Sequence, residues 1–366
     1  MAGYYISYPF CNQKCTFCNF ASGVSPAETI VRYHAALLTQ LRQPSSSLRP
    51  ETLYFGGGTP SLMPLEFLRE VMAMIPSGAL PEATMEAAPG TLTPEKLDTW
   101  RNCGINRVSL GVQSFSTSEL RQTGRCHTAE TVTNDVAMLR AHGITNFNID
   151  LIAGLPHQTR ESWRASLDYI ARLETPHVSV YIFEVDQDSR LGNEMLLGGV
   201  RYGASIMPSD DLIADLYETA VTQLADIGIP RYEISNFARP GFESRHNLKY
   251  WQLESYLGFG LDAHSHLDGR RFSTADNMAD YLDDPLGRAT DTATDPGEEH
   301  FFVGLRLDRG IEPTLQEWVR FAAPITKWRN AGMLINHAGR LRLSRTGALV
   351  SNEIFQDFLT PELEHA

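Results

Sequence analysis

The sequence is short of cysteine, of long apolar runs and of positive charge, and each shortage excludes something. Its 366 residues contain five cysteines. Two of these, Cys103 and Cys126, stand alone, so there is no framework of paired cysteines like those that staple small secreted domains. No run of about 18 apolar residues is present, which excludes a membrane-spanning helix by the usual length criterion. Residues 1–10 carry neither a basic stretch nor a long apolar one, so no signal peptide is expected. Lys and Arg number 31 against 44 Asp and Glu, giving a formal net charge of −13. A nucleic-acid surface needs a basic stripe, so no nucleic-acid partner is expected. Free thiols suit a reducing compartment. The expected location is the cytoplasm, with any membrane contact peripheral, at the inner face.

Against that background, three cysteines crowd into eight residues, Cys11, Cys15 and Cys18, at spacing C-x3-C-x2-C. Thiolates brought together by so short a loop suit an iron–sulfur cluster. Three ligands on a four-iron cluster leave one iron open to a small molecule, whereas electron-transfer ferredoxins close the cluster with four cysteines. The spacing also differs from the paired C-x2-C of structural zinc, although a partial zinc site or apolar packing remains the plain alternative. The pattern resembles the radical SAM family. That resemblance implies an open iron that chelates S-adenosylmethionine (SAM), and one-electron cleavage of the sulfonium.

The rest of the chain supplies a scaffold. With 42% hydrophobic residues it is long enough for one large domain and a smaller one. Strand-like runs at 4–8, 52–55, 83–87, 107–110, 147–152 and 178–183 alternate with helical periodicity at 31–41, 65–75, 94–103, 128–142 and 160–173. A polar loop is expected at 43–49. About six β/α units predict a parallel sheet closed into a partial (β/α)6 barrel, with functional residues at the C-terminal ends of the strands. Cys11, Gly57, Glu86, Gln113 and Asp150 all fall at that end of successive strands. Each alone would more often be structural, as a surface charge or a turn cap. Segment 56–61 is a glycine cluster after a strand. It lacks the Lys and the spacing of a phosphate loop, so it suits backbone contact with a small zwitterion or a plain tight turn. Glu86, Gln113, Arg125 and Asp150 have the right chemistry for SAM: carboxylates for ribose hydroxyls and Arg for a carboxylate.

Beyond residue 183 the pattern changes. A glycine-rich stretch at 184–202 precedes a helix at 210–227. Two polar–aromatic motifs follow at 231–241 and 246–251, then a glycine-rich turn at 257–266. An acidic stretch with two prolines and two glycines at 283–299 reads as a linker. The last part is helical with a small hairpin, a winged-helix-like shape given a packing or lid role by the acidic balance. The expected division is 1–235 for the α/β core, 236–295 for a segment with the second polar–aromatic motif and the acidic linker, and 296–366 for the C-terminal, mainly helical domain.

Several motifs together narrow the resemblance. Pro9-Phe10-Cys11, Phe55-Gly-Gly-Gly-Thr-Pro-Ser61, Gly104-Ile-Asn-Arg-Val-Ser-Leu-Gly-Val-Gln-Ser-Phe115, Gly124-Arg125 with His127, and Gly154-Leu-Pro156 resemble the oxygen-independent coproporphyrinogen III oxidase family. Tyr232-Glu-Ile-Ser-Asn-Phe-Ala238 and His246-Asn with Tyr250-Trp251 are closer to its heme-chaperone branch. The resemblance spans nearly the whole chain. It implies a [4Fe–4S] cluster on Cys11, Cys15 and Cys18, and SAM on Tyr5, Phe17, Gly57, Gly58, Thr59, Glu86, Gln113, Arg125 and Asp150. It also implies heme near His246, Tyr250 and Trp251. The alternative for His246 is a hydrogen-bonded core histidine, and His264 and His266 are weaker candidates.

Two departures separate this chain from the oxidases, and a third, at Ser7, separates it from both branches. Phe20 stands where the oxidases carry a fourth cysteine, Ser7 stands where the family carries a histidine, and only ten residues precede Cys11 where the oxidases have a longer arm. The resulting expectation is a chaperone that delivers heme to an acceptor such as a respiratory protein, served by a reductant protein if SAM is cleaved. The alternatives are coproporphyrinogen III oxidation or another radical reaction on a tetrapyrrole. The sequence is compatible with a homodimer and leaves enzyme activity open.

Overall fold

The computed structural model describes residues 2–43, 48–76, 78–199 and 201–360. Most of the polar loop expected at 43–49 and the last six residues of the C-terminal segment lie outside these. Six strands, β1 (Ala2–Tyr8), β2 (Pro50–Gly57), β3 (Glu82–Ala87), β4 (Arg107–Gln113), β5 (Asn146–Ala153) and β6 (His177–Ile182), lie side by side in chain order, all parallel. Helices Ala27–Leu41, Leu65–Met74, Pro94–Asn102, Ala129–Ala141 and Arg160–Arg172 make the crossovers. Thr93, Thr128 and Thr159 start three of them by accepting a backbone N–H with the side chain, which satisfies a donor that the first helical turn leaves free. The α/β radical SAM partial barrel expected from the sequence is thus the observed architecture.

The strands are buried on both faces, and the two faces differ. Leu53 and Phe55, Ala83 and Met85, Val108 and Leu110, Phe147 and Ile149, and Val178 and Val180 belong to the main apolar core. The intervening positions carry Tyr54, Glu86, Ser109, Asn148, Asp150 and Ser179. Because side chains alternate along a strand, one face packs on the helices and the other fills the barrel with polar groups.

Residues 236–295 do not form the separate segment expected from sequence. β7 (Asn236–Ala238) adds antiparallel to β6, and β8 (Tyr256–Phe259) adds parallel to β1. β9 (His264–Leu267), β10 (Arg270–Ser273) and β11 (Thr290–Ala293) extend the same sheet antiparallel, making eleven strands among the described residues. The boundary at 235/236 therefore falls inside one sheet. The glycine-rich turn at 257–266 includes the β8–β9 pairing, and the acidic linker contains β11. Main-chain pairing overrides a linker-like composition there, since edge strands tolerate charge. From residue 296 onward a second apolar cluster forms around Phe301, Leu305, Phe321, Ile325, Leu341 and Phe355. It joins short helices to the hairpin of β12 (Leu334–His337) and β13 (Arg340–Leu343).

One buried carboxylate fixes the helix Arg245–Trp251 to the barrel. Glu82 is 2% exposed and accepts hydrogen bonds from Ser244 Oγ (3.2 Å) and the backbone N–H groups of Arg245 and His246 (both 2.9 Å). A negative charge at a helix start satisfies free donors and favours the helix dipole. Glu82→Ala is expected to cost roughly 2–4 kcal/mol, because it leaves buried N–H groups unpaired, and Glu82→Gln less. Thermal unfolding of the two variants checks this; an unchanged midpoint in Glu82→Ala would show that the helix is held otherwise.

Candidate functional site

At the C-terminal ends of the strands lies a cavity of about 860 Å³. Cys11, Cys15, Cys18, Phe17, Gly57, Gly58, Thr59, Glu86, Gln113, Arg125 and Asp150 all line it, so the fold brings together eleven of the twelve residues expected to hold the cluster and SAM. Tyr5 does not line it. Its ring stacks on Tyr54 (centroids 6.0 Å apart) behind Gly56, where a Cβ would lie 2.7 Å from the Tyr5 ring.

The cysteine loop is held by the glycine turn. Gly58 N–H donates to Tyr8 O (3.0 Å) and Thr59 N–H to Phe10 O (2.9 Å), while Thr59 Oγ1 donates to Cys11 Sγ (3.4 Å). A Cβ on Gly58 would lie 2.7 Å from the carbonyl carbon of Pro9, so only glycine allows this approach. Gly57 sits at φ +107°, a region that side chains avoid. Across the cavity Arg125 donates to Gly111 O (3.0 Å), and its guanidinium lies 5.9 Å from the Phe17 ring centroid. Burial raises the Cys15 thiol pKa, and the nearby Arg125 charge works against that rise.

Two carboxyl groups share the cavity floor. Tyr54 donates to Glu86 Oε1 (2.8 Å), and Asn148 Nδ2 donates to Asp150 Oδ1 (2.6 Å), with Ser109 Oγ at 3.3 Å from Oδ2. Burial, reinforced by the charge of Asp150, pushes Glu86 up to about 8. Burial also raises Asp150, opposed by hydrogen bonds from Ser179 and Asn148. Two further polar atoms, Gln113 Oε1 and Arg125 Nε, are buried and have no hydrogen-bond partner among the described residues. Gln113 itself holds φ +70° at a register shift in β4, an unusual conformation for a side-chain-bearing residue that costs about 1–3 kcal/mol. A buried polar group without a partner is a place for a ligand group.

Sequence reasoning passed over Tyr54, Ser109, Asn148 and Tyr181, which support or line this floor. Their signal was the two-residue alternation that places them on the inward face beside Glu86 and Asp150. For the C-terminal segment, given a packing or lid role, it named no site residue, yet Arg306 and residues 348–353 line the same cavity.

The radical SAM superfamily profile matches residues 5–170. The protein named heme chaperone HemW in Lactococcus lactis is 31% identical, over 98% of this chain and 97% of its own. Its Bacillus subtilis namesake is 32% identical over 98% and 99%. The chain belongs to the HemW family of radical SAM proteins. A mouse mitochondrial protein, radical S-adenosyl methionine domain-containing protein 1, is 30% identical over all of this chain and 88% of that one. Among solved structures, coproporphyrinogen III oxidase (HemN) from Escherichia coli has the same fold, with a TM-score of 0.83 and 22% identity over 98% of this chain and 89% of that one. In this HemW-family chain, Phe20 is 62% exposed at the mouth of the cavity and offers no thiol. Ser7 is buried beneath the glycine turn, 3.1 Å from where a Cβ on Gly57 would stand.

The expected heme ligand is elsewhere. His246 is 1% exposed, and both ring nitrogens are engaged: Nδ1 with Thr52 Oγ1 (2.9 Å) and Nε2 with Tyr250 Oη (2.7 Å). Its ring stacks on Tyr54 at 5.2 Å, and burial, with the nearby Lys249 charge, depresses its pKa to about 3. As folded, neither ring nitrogen is free, as in a hydrogen-bonded core histidine. Tyr250 is occupied by the same pair and packs edge-on against Tyr256. Of the three, Trp251 alone borders a cavity, and that cavity is a second one. His264 is exposed on β9, and His266 is partly buried.

The raised pKa of Glu86 has a consequence with a definite sign. An unfolded Glu loses its proton near 4.5, while folded Glu86 keeps it to about 8. Between those values the folded state binds the extra proton, so stability falls as pH rises across that window. In cofactor-free protein, Glu86→Gln is expected to flatten this part of the melting-temperature profile and to gain most over wild type at its alkaline end. Parallel slopes for both proteins would sink the assignment.

Proposed function

We propose that the chain is a heme chaperone: it binds a [4Fe–4S] cluster and SAM in the first cavity and delivers heme to an acceptor protein. The observation that carries this reading is the match to relatives named heme chaperones over 97% and 99% of their lengths.

The side chains of the first cavity suit the two groups. Three thiols stand on one loop at its wall, and a cube-shaped cluster takes its thiolates spread around it rather than converging on one ion. Among the described residues no three His, Cys, Asp or Glu side chains converge as a single-metal site would require, which disfavours the zinc alternative. When bound, the cluster supplies an open iron and an electron for SAM. Arg125, with its unpaired Nε, suits the SAM carboxylate, and Gln113 Oε1 is a free acceptor nearby. Glu86 and Asp150 suit ribose hydroxyls, as acceptors when ionised and also as donors when protonated. Gly57 and Gly58 let the backbone approach the amino group, and Phe17 packs against Arg125. Tyr5 acts through Tyr54, whose hydroxyl orients Glu86. In this reading SAM serves as part of the carrier's control, and a reductant protein is needed only if it is cleaved. The acceptor is a heme-accepting protein, for example a respiratory one.

Two experiments bear on the reading. After anaerobic reconstitution, wild type is expected to bind heme and to give no catalytic turnover of coproporphyrinogen III with SAM and a reductant. Protoporphyrinogen formed at turnover would replace the chaperone by the oxidase, and absence of heme binding would remove it. Separately, Cys15→Ala is expected to lose most iron and acid-labile sulfide at reconstitution. Full iron content in that variant would place the cluster elsewhere.

A further inference from the structure

We propose that Arg107, outside the lining of the first cavity, is the counter-ion of its floor: a positioning residue that keeps Asp150 the charged carboxylate and leaves Glu86 the protonated one. This deepens the reading of that cavity as a SAM site and rests on it. It divides the work on the ribose hydroxyls, with Asp150 accepting and Glu86 able to donate.

Arg107 opens β4 and is 2% exposed. It stands two residues before Ser109, on the same inward face of the strand, and Ser109 lines the cavity while Arg107 lies behind it. An arginine stays charged in a protein, and a buried charge needs an opposite one. Arg107 nevertheless forms no direct ion pair among the described residues, and its Nε is buried without a hydrogen-bond partner. The residue in register with it on β3 is Thr84, whose Oγ1 is likewise buried and unpaired. Glu82, lower on that face of β3, is engaged by the start of the helix Arg245–Trp251.

The titratable groups that feel the guanidinium come from every side of the barrel. They are Tyr54 on β2, Glu86 on β3, Asp150 on β5, His177 on β6, Tyr232, and His246 on the helix Arg245–Trp251. Of these, Glu86 and Asp150 alone can supply a negative charge near neutral pH. Burial keeps both tyrosines protonated and both histidines neutral. The ring nitrogens of His177 are engaged, as those of His246 are: Nδ1 lies 2.7 Å from Asn148 Oδ1, and Nε2 lies 2.9 Å from Tyr232 Oη.

Two carboxylates in one dry cavity do not both ionise readily, and hydrogen bonds choose between them. Asp150 is bonded by Ser179, Asn148 and Ser109, the last of these the neighbour of Arg107 on the inward face of β4. Asn148 Nδ2 also reaches Ser109 Oγ (2.7 Å) and Ser179 Oγ (3.0 Å), so these donors hold one another in place. Glu86 is bonded by Tyr54 and the backbone of Gly57. Tyr181, which faces Asp150 from β6, stays protonated because it is buried. The negative charge that balances Arg107 therefore settles on Asp150.

The test is SAM affinity measured against pH in full-length, reconstituted protein. In wild type, binding is expected to strengthen as Asp150 ionises. Removing the cation makes Asp150 harder to ionise, so Arg107→Met is expected to move this acid limb to higher pH, by about tenfold in proton concentration. Arg107→Lys keeps the charge and is expected to restore most of the wild-type position. An unmoved profile in Arg107→Met overturns the proposal, and so does a loss of affinity that is equal at every pH. Equal displacement in Arg107→Met and Arg107→Lys overturns it as well. A second measurement leaves Arg107 in place and decides the matter if Arg107→Met does not fold. In infrared spectra near neutral pH without SAM, Asp150→Asn is expected to remove an ionised carboxylate band. Removal of a protonated carboxyl band instead overturns the proposal. Absence of SAM binding in wild type overturns the reading of the cavity itself, whereas the other outcomes leave that reading intact.

Discussion

The seating of the glycine turn on the cysteine loop is the constraint on which the first cavity depends. A loop with three thiols has little apolar surface of its own, and Cys11, Cys15 and Cys18 are only partly buried. Its position comes from backbone hydrogen bonds between Tyr8, Phe10, Gly58 and Thr59, at an approach that any side chain at Gly58 would block. The same turn reaches the opposite way, because the backbone of Gly57 hydrogen-bonds Glu86. Two adjacent glycines therefore tie the cluster loop to the carboxyl group on the cavity floor. The approach is close because β1 and β2 are neighbouring parallel strands in direct register at this point, Tyr8 opposite Gly57.

Below the cavity a line of aromatic and titratable groups runs to the helix Arg245–Trp251. Tyr54 donates to Glu86 and stacks on His246, and His246 hydrogen-bonds Tyr250. None of these groups is free to reorient alone, since each has its polar atom engaged in a dry interior where an unpaired atom costs about 1–3 kcal/mol. A change at Glu86 is felt at Tyr54, and through ring packing at the helix that ends in Trp251. The two cavities are thus joined by one contiguous set of contacts.

Much of this was legible in the sequence because strand–helix alternation and the phase of polar residues at strand ends are local signals. The helices Pro94–Asn102 and Arg160–Arg172 carry their own caps, and their positions follow from Thr93 and Thr159. Eleven of the twelve expected cluster and SAM residues line one cavity for the same reason: a parallel sheet puts every strand end on one side. The failures have a common cause in long-range partners. Nothing near residue 290 announces that β11 will pair with β10, and an acidic, proline-flanked stretch looks like a linker when its partner is unknown. At His246 the motif shows which residues stand together but not which way they face. Its burial is decided by Thr52, nearly two hundred residues earlier in the chain.

The C-terminal segment is what turns two cavities into one system. Residues 348–353 close one side of the first cavity, and His300, Arg309 and Arg340 build much of the second. Arg306 connects them. It lines the first cavity, its guanidinium lies 4.3 Å from the Trp251 ring centroid at the second, and it pairs with the fully buried Glu233. Removing Arg306 from that position would leave the Glu233 carboxylate without its cation in the interior, which is strongly unfavourable. The segment is therefore anchored between the cavities by a buried charge, and it cannot shift at one without disturbing a contact at the other.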